Sequence, residues 1–225
     1  MTSINENISV VVCCKADPEA LLLTVLSINC LETMPHEVIF CLKDVNLPEL
    51  KFNFAYSVLD DNGDGVYHAM NLSLRFVQTH LVTFLNASDA YEGDPLKFID
   101  KPGVIPYRVE GARLKKFSDV GFHFTVFGFG YCHQGVVYCA SQLYYNTKFR
   151  ISADFLSIVE IFPWIRTAPR FSSGSAVFFK GGISSQNTVL RDSEIFDILM
   201  ERRLIFVAIL FRVTVFTKNL VKLFL

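Results

Sequence analysis

Residues 8–14, Ile-Ser-Val-Val-Val-Cys-Cys, form a β-branched, apolar run without the alternation of a half-exposed strand. A strand of this kind must be covered on both faces, which restricts the chain to layered architectures with a sheet at the centre. Asp17-Pro18-Glu19 follows at once and supplies an N-cap, a proline at the first helical position and an acid in the first turn. A helix over residues 18–31 is predicted. The alternation continues with strands at 37–42 and 54–59, the acidic turn Asp60-Asp61-Asn62-Gly63-Asp64-Gly65, a helix over 66–79 and a strand at 81–85. That last strand ends in Asn86-Ala87-Ser88-Asp89. Strands and helices in this order predict an α/β fold, a mostly parallel sheet with helices on both faces. Ligands of such sheets bind beyond the carboxyl ends of the strands, where both polar clusters, 60–65 and 86–89, fall. The chain contains neither a GxGxxG fingerprint nor a P-loop, which disfavours an ordinary dinucleotide fold and a Walker-type NTPase.

The pattern changes after Asp94-Pro95. Residues 117–138, rich in Phe, Tyr, Gly and Val, read as strands without helical crossovers, and 154–161 as a helix. Pro163 and Pro169 bracket a predicted loop, and 171–185 contain a short strand and Gly181-Gly182. With 51% hydrophobic and 19% charged residues among 225, the chain is neither disordered nor collagen-like. A net charge of −1 gives no basic field for nucleic acid. Of the 22 phenylalanines, six precede residue 113 and sixteen follow, so the two parts have different work to do.

Cys13, Cys14, Cys30, Cys41, Cys132 and Cys139 contain no CxxC pair, and three fall in predicted buried strands, which suits free thiols in a reducing cytosol. The first apolar run is too short for a signal peptide and lacks a basic flank, so a cytoplasmic location is expected. The sequons at Asn71 and Asn86 are then accidental matches. The longest strictly apolar run, 204–211, is far below the roughly 20 residues of a membrane-spanning helix. The tail 201–225 carries Arg202, Arg203, Arg212, Lys218 and Lys222 against Glu201 alone, a net +4. Two outcomes are open for it: peripheral contact with an anionic membrane surface, or a terminal helix packed on the domain.

Four stretches, in order, resemble the family 2 glycosyltransferases, inverting enzymes of the GT-A (Rossmann-like) fold, and among them bacterial transferases of exopolysaccharide and O-antigen synthesis. The first is Ile8-Ser-Val-Val-Val with its helix through Leu26-Ser-Ile28. Gly65-Val-Tyr-His-Ala-Met-Asn71 resembles G-I-Y-D-A-M-N and leads into Val82-Thr-Phe-Leu-Asn-Ala-Ser-Asp89, similar to the strand ending in metal-binding acids. His133-Gln134 with Tyr145-Asn-Thr-Lys-Phe-Arg-Ile-Ser-Ala-Asp154 resembles H-Q followed by Y-D-x-x-[FY]-x-I-A-A-D-[YF]. Lys180-Gly-Gly-Ile-Ser-Ser185 resembles a late glycine-serine segment.

The resemblance implies a nucleotide-sugar-binding half at 1–93, a smaller mixed acceptor-binding half of the same domain at 94–200, and the basic apolar tail. It implies transfer from a UDP- or GDP-linked sugar to a lipid-linked or polysaccharide acceptor, aided by Mg²⁺ or Mn²⁺. Asp154 takes the position of the catalytic base, which removes the acceptor proton, and Asp89 that of the metal–diphosphate ligand. Asp61, Asp64, Asn71, Asn86, His133 and Gln134 fall on the donor and diphosphate side. Structural alternatives stand beside each: N-caps for Asp89 and Asp154, a core histidine for His133, a solvated turn for Asp61 and Asp64, helix docking for Tyr67 and Asn71. The sequence departs from the family at Leu42, Gly63, His68 and Asn86-Ala87-Ser88, where acids are usual, and the departures point to a non-catalytic homologue as the alternative.

Overall fold

The computed structural model describes residues 2–63, 65–109, 133–165, 167–179 and 187–224. The first half is β1 (Ser3–Lys15), α1 (Pro18–Asn29), β2 (Thr33–Lys43), β3 (Tyr56–Asp60), α2 (Val66–Leu74) and β4 (Leu81–Phe84). Then come β5 (Ala90–Gly93), β6 (Gly103–Val104), β7 (Tyr107–Val109), a 3-10 turn (His133–Gly135) and β8 (Val136–Cys139). The chain continues through α3 (Ala153–Ile165), β9 (Gly174–Phe178), α4 (Thr188–Glu201) and α5 (Ile205–Phe224).

The main sheet has six strands in the order β3-β2-β1-β4-β8-β6. Its first four are mutually parallel, with Val10 opposite both Val38 and Thr83, whereas β8 and β6 join antiparallel. A second sheet, β5-β9-β7, is mixed. Ile8, Val10, Val11 and Val12 are at most 1% exposed, as a strand covered on both faces requires. The Asp17 carboxylate accepts from the Ala20 amide at 2.9 Å and caps α1, whose Leu21, Thr24, Val25 and Ile28 face the sheet.

Helix α2 ends at Leu74, five residues before the predicted 79. It closes at Arg75 with tightened bonds from the Arg75 amide to Leu72 and from the Phe76 amide to Ser73; beyond it Glu37 Oε1 accepts from the Gln78 amide at 3.2 Å and from Ser9 Oγ at 3.0 Å. Helix α3 runs on through Pro163, which the sequence places in a loop. Most of the predicted strand region 117–138, together with Asp64, Cys132 and Gly181-Gly182, lies outside the described residues.

Helix α5 packs through Ala208 and Phe211, and the Arg212 guanidinium lies 4.5 Å from the Phe196 ring centroid. Among the described residues no helix is long and apolar enough to cross a membrane.

Candidate active site

The carboxyl ends of the parallel strands carry both polar clusters. Behind β3, Asp61 is buried, and its Oδ1 accepts from the Gly63 amide at 2.9 Å and meets His68 Nδ1 at 3.1 Å. Lys43 Nζ donates to the Gly63 carbonyl at 2.7 Å and ties the turn to β2. Gly65, at φ 95°, occupies the left-handed region that glycine tolerates and opens α2. Two departures from the family prove to be one arrangement. The His68 ring occupies the space a side chain at residue 63 would fill, 1.8 Å from a methyl group there.

On α2, the Tyr67 hydroxyl lies 2.8 Å from Asp154 Oδ1 and 2.7 Å from the Ile151 carbonyl. Asn71 clamps Tyr145 through both backbone groups, donating to its carbonyl at 2.7 Å and accepting from its amide at 2.9 Å. Tyr67 and Asn71 therefore dock α2 against the 145–154 segment and, in doing so, reach the proposed base. Asp154 is half-buried in the first turn of α3, inside the helix rather than at its N-cap. Burial pushes its carboxyl pKa up, against the Tyr67 hydroxyl and the Phe155 amide, which hold it down. A cavity of about 320 Å³ opens beside Tyr67, lined also by Gly65, His68, Thr147, Phe149 and Arg150.

Asp89 is 2% exposed. Its Oδ2 accepts from Gln134 Nε2 at 2.7 Å and its Oδ1 from the Phe179 amide at 3.0 Å. Burial raises its pKa to about 7, with those two bonds opposing. A strand, β5, follows it, so it caps no helix. Asn86 is half-buried, and its carbonyl accepts from the Asp89 amide at 2.9 Å. His133 is buried under Phe84, with ring centroids 4.9 Å apart, and its Nδ1 lies 3.1 Å from the Tyr138 hydroxyl. Desolvation lowers its pKa to about 3, so the imidazole is neutral and belongs to the core.

These residues are linked. Asp89 bonds Gln134; the adjacent His133 lies 3.4 Å from the Tyr145 hydroxyl; Tyr145 stacks on Tyr67 at 5.5 Å; and Tyr67 reaches Asp154. Successive contacts thus connect Asp89 to Asp154 through Gln134, His133, Tyr145 and Tyr67, with Asn71 bound to Tyr145, and Asp61 touches the cavity-lining His68. A larger cavity of about 720 Å³, lined by Leu26, Cys30, Glu32, Tyr91, Asp94 and Lys97, lies at the opposite, amino-terminal end of β2.

A divalent cation needs free, clustered oxygen ligands. Asp89 is almost wholly buried, each of its oxygens accepts one hydrogen bond, and among the described residues no three His, Cys, Asp or Glu side chains group to hold a metal. Among the described residues Asp89 thus stands without the companion ligands that a divalent cation needs.

Sequence reasoning missed Glu194. It is buried on α4 beside Ile195, Ile198 and Leu199, an acid within an apolar stripe, and that misplacement in the pattern was the available signal.

No family model matches the chain, and no curated protein matches it. Solved structures do. S. aureus TarS 1–349 in complex with UDP-GlcNAc is 16% identical over 91% of this chain and 66% of that one, with a TM-score of 0.55. The mannosyltransferase PcManGT from Pyrobaculum calidifontis, in complex with GDP-Man and Mn²⁺, is 10% identical over 87% and 64%, with a TM-score of 0.57. Glucosyl-3-phosphoglycerate synthase from Mycobacterium tuberculosis, with Mn²⁺, UDP and phosphoglyceric acid, is 12% identical over 88% and 78%, at 0.50. The chain spans less than two thirds of the length of the first two. At these identities the likeness is one of architecture: the chain has the GT-A glycosyltransferase fold, a mostly parallel α/β sheet with its polar clusters at the carboxyl ends of the strands.

Proposed function

We propose that the chain is an inverting glycosyltransferase that moves a sugar from a UDP- or GDP-linked donor to a lipid-linked or saccharide acceptor. The observation that carries this is Asp154: a half-buried carboxylate of raised pKa that accepts from the hydroxyl of Tyr67, a residue lining the cavity, in a chain of GT-A fold. UDP, UDP-GlcNAc and GDP-Man in the structural neighbours support a nucleotide-sugar donor.

In the reaction, the acceptor hydroxyl gives its proton to Asp154 as its oxygen bonds the anomeric carbon. The bond from that carbon to the diphosphate breaks on the opposite face, which inverts the centre. Desolvation makes the ionised Asp154 a stronger base than an exposed carboxylate. Arg150, which lines the cavity, is a cationic group available to the departing diphosphate. Mg²⁺ or Mn²⁺ at Asp89 would need further oxygen ligands that the described residues do not group around it, so no step is assigned to it.

The missing acids at Ala87 and Ser88, Leu42 and Gly63 favour a second function, a non-catalytic homologue that binds sugar nucleotides or a partner transferase. Turnover on a panel of UDP- and GDP-sugars separates the two. The enzyme predicts transfer or donor hydrolysis that falls about a hundredfold or more in Asp154→Asn with nucleotide binding kept. Nucleotide binding without turnover across the panel leaves the binding protein. In the transferase, residues 1–93 hold the donor and 94–200 the acceptor, at the cytoplasmic face of a membrane touched by 201–225.

A further inference from the structure

Helix α3 begins where three backbone amides are taken by one distant side chain. Glu194, on α4 and 7% exposed, accepts from the Arg150 amide through Oε1 at 2.7 Å. Its Oε2 accepts from the amides of Ile151 and Ser152, both at 2.9 Å. These amides belong to the N-cap Ser152 and the two residues ahead of it, and a carboxylate makes strong, charge-assisted bonds to such backbone donors. The same segment is held from its other side by α2, where the Tyr67 hydroxyl meets the Ile151 carbonyl and Asp154 Oδ1. Asp154 leaves the backbone two residues after the last amide Glu194 binds.

We propose that Glu194 is a positioning residue for Asp154: it fixes the 150–152 backbone through three amide hydrogen bonds and so sets where the proposed base points. Its role in turnover rests on Asp154 being that base. The titratable groups facing Asp154 are Tyr67 from α2, Tyr145 from the segment before α3, and Glu194 from α4. The tyrosines are neutral, since burial raises both well above their ordinary range. Burial is the largest cause of the raised Asp154 pKa, and the charge of a Glu194 carboxylate adds to it in the same direction. Removing that charge lowers the Asp154 pKa.

The test uses the full chain and two variants. Glu194→Gln removes the charge and sets an NH₂, which cannot accept, against part of the amide set that Glu194 holds; Glu194→Asp preserves charge and shortens the reach to the amides. Asp154 is titrated by carboxyl ¹³C NMR, its signal assigned by loss in Asp154→Asn, and kcat and KM are measured against pH. The expected result in Glu194→Gln is a lower Asp154 midpoint, an acid limb of kcat displaced the same way, and a roughly tenfold or greater fall in kcat with donor KM little changed. In Glu194→Asp, kcat falls while the midpoint moves less. An unmoved midpoint in Glu194→Gln overturns the proposal, as does a kcat loss that merely follows melting temperature in both variants. Turnover surviving in Asp154→Asn removes the base instead, and the NMR titration still decides whether Glu194 holds Asp154.

Discussion

A methyl group added at Gly63 would lie 1.8 Å from His68 Nδ1, closer than any real contact. The His68 side chain is 47% exposed, however, so it can swing into solvent rather than force the backbone apart. The cost of Gly63→Ala is then the lost His68–Asp61 hydrogen bond, about 1 kcal/mol, and not core overpacking. In a His68→Ala background the same substitution should be nearly neutral, because the ring it displaces is gone. Denaturant unfolding of the two single variants and the double one measures this coupling. Equal costs in both backgrounds would show that the turn resists the methyl for some other reason. The coupling also accounts for two family departures at once: an acid at 63 and a histidine at 68 would contend for one space.

At the scale of elements, α5 is the least resolved in purpose. Ala208 and Phe211 bury one side of it, while Phe206, Ile209, Val213 and Phe216 are each more than half exposed. Their spacing of three and four residues sets them on a single face. An apolar face on a tail of net charge +4 suits an anionic lipid surface. The full chain should therefore co-sediment with vesicles of phosphatidylcholine and phosphatidylglycerol. Replacing Phe206 and Phe216 by Ser should weaken that binding about tenfold or more, since each buried phenylalanine is worth about 1.5–3 kcal/mol. Phe211 and Ala208 are untouched, so the melting temperature should hold. Unchanged binding in the double variant, or none by the parent chain, would sink the idea.

Elements that carry their own signals were legible in the sequence. β1 announced itself by its apolar run, and α1 by Asp17 and Pro18. The end of α2 was not legible, because neither a glycine nor a proline marks the closing turn at Arg75 and Phe76. β6 and β7, two and three residues long, are too short for any period to register. The site divides in the same way. Tyr67, Asn71 and Asp154 lie in quoted motifs, and their neighbours in space followed from the fold. Glu194 lies in none, since its purpose is set by amides more than 40 positions away.

On the scale of the whole molecule, Asp89 joins parts of the chain that share no sequence proximity. Its carboxylate bonds Gln134 ahead of β8 in the main sheet and the Phe179 amide just after β9 in the second sheet. Its folded pKa of about 7 stands above the ordinary 3.8 because burial penalises the charge more than those bonds repay. A carboxyl whose pKa rises on folding binds its proton more tightly in the native state. Its contribution to stability is therefore full below about pH 4, declines as pH rises, and is lost above about pH 7. The difference across that window is on the order of 4 kcal/mol. Asp89→Asn should escape it. The Asn carbonyl keeps the Phe179 amide, and its NH₂ can donate to Gln134 once the Gln134 amide turns its oxygen inward. Relative to the parent, the variant should gain stability steadily between about pH 4 and pH 8 in urea unfolding. A difference that stays constant with pH would mean that Asp89 titrates normally and that its burial is relieved when the chain is in solution. The same experiment bears on the reaction, because a carboxylate that stays protonated to near neutrality and spans two sheets is committed to holding them together.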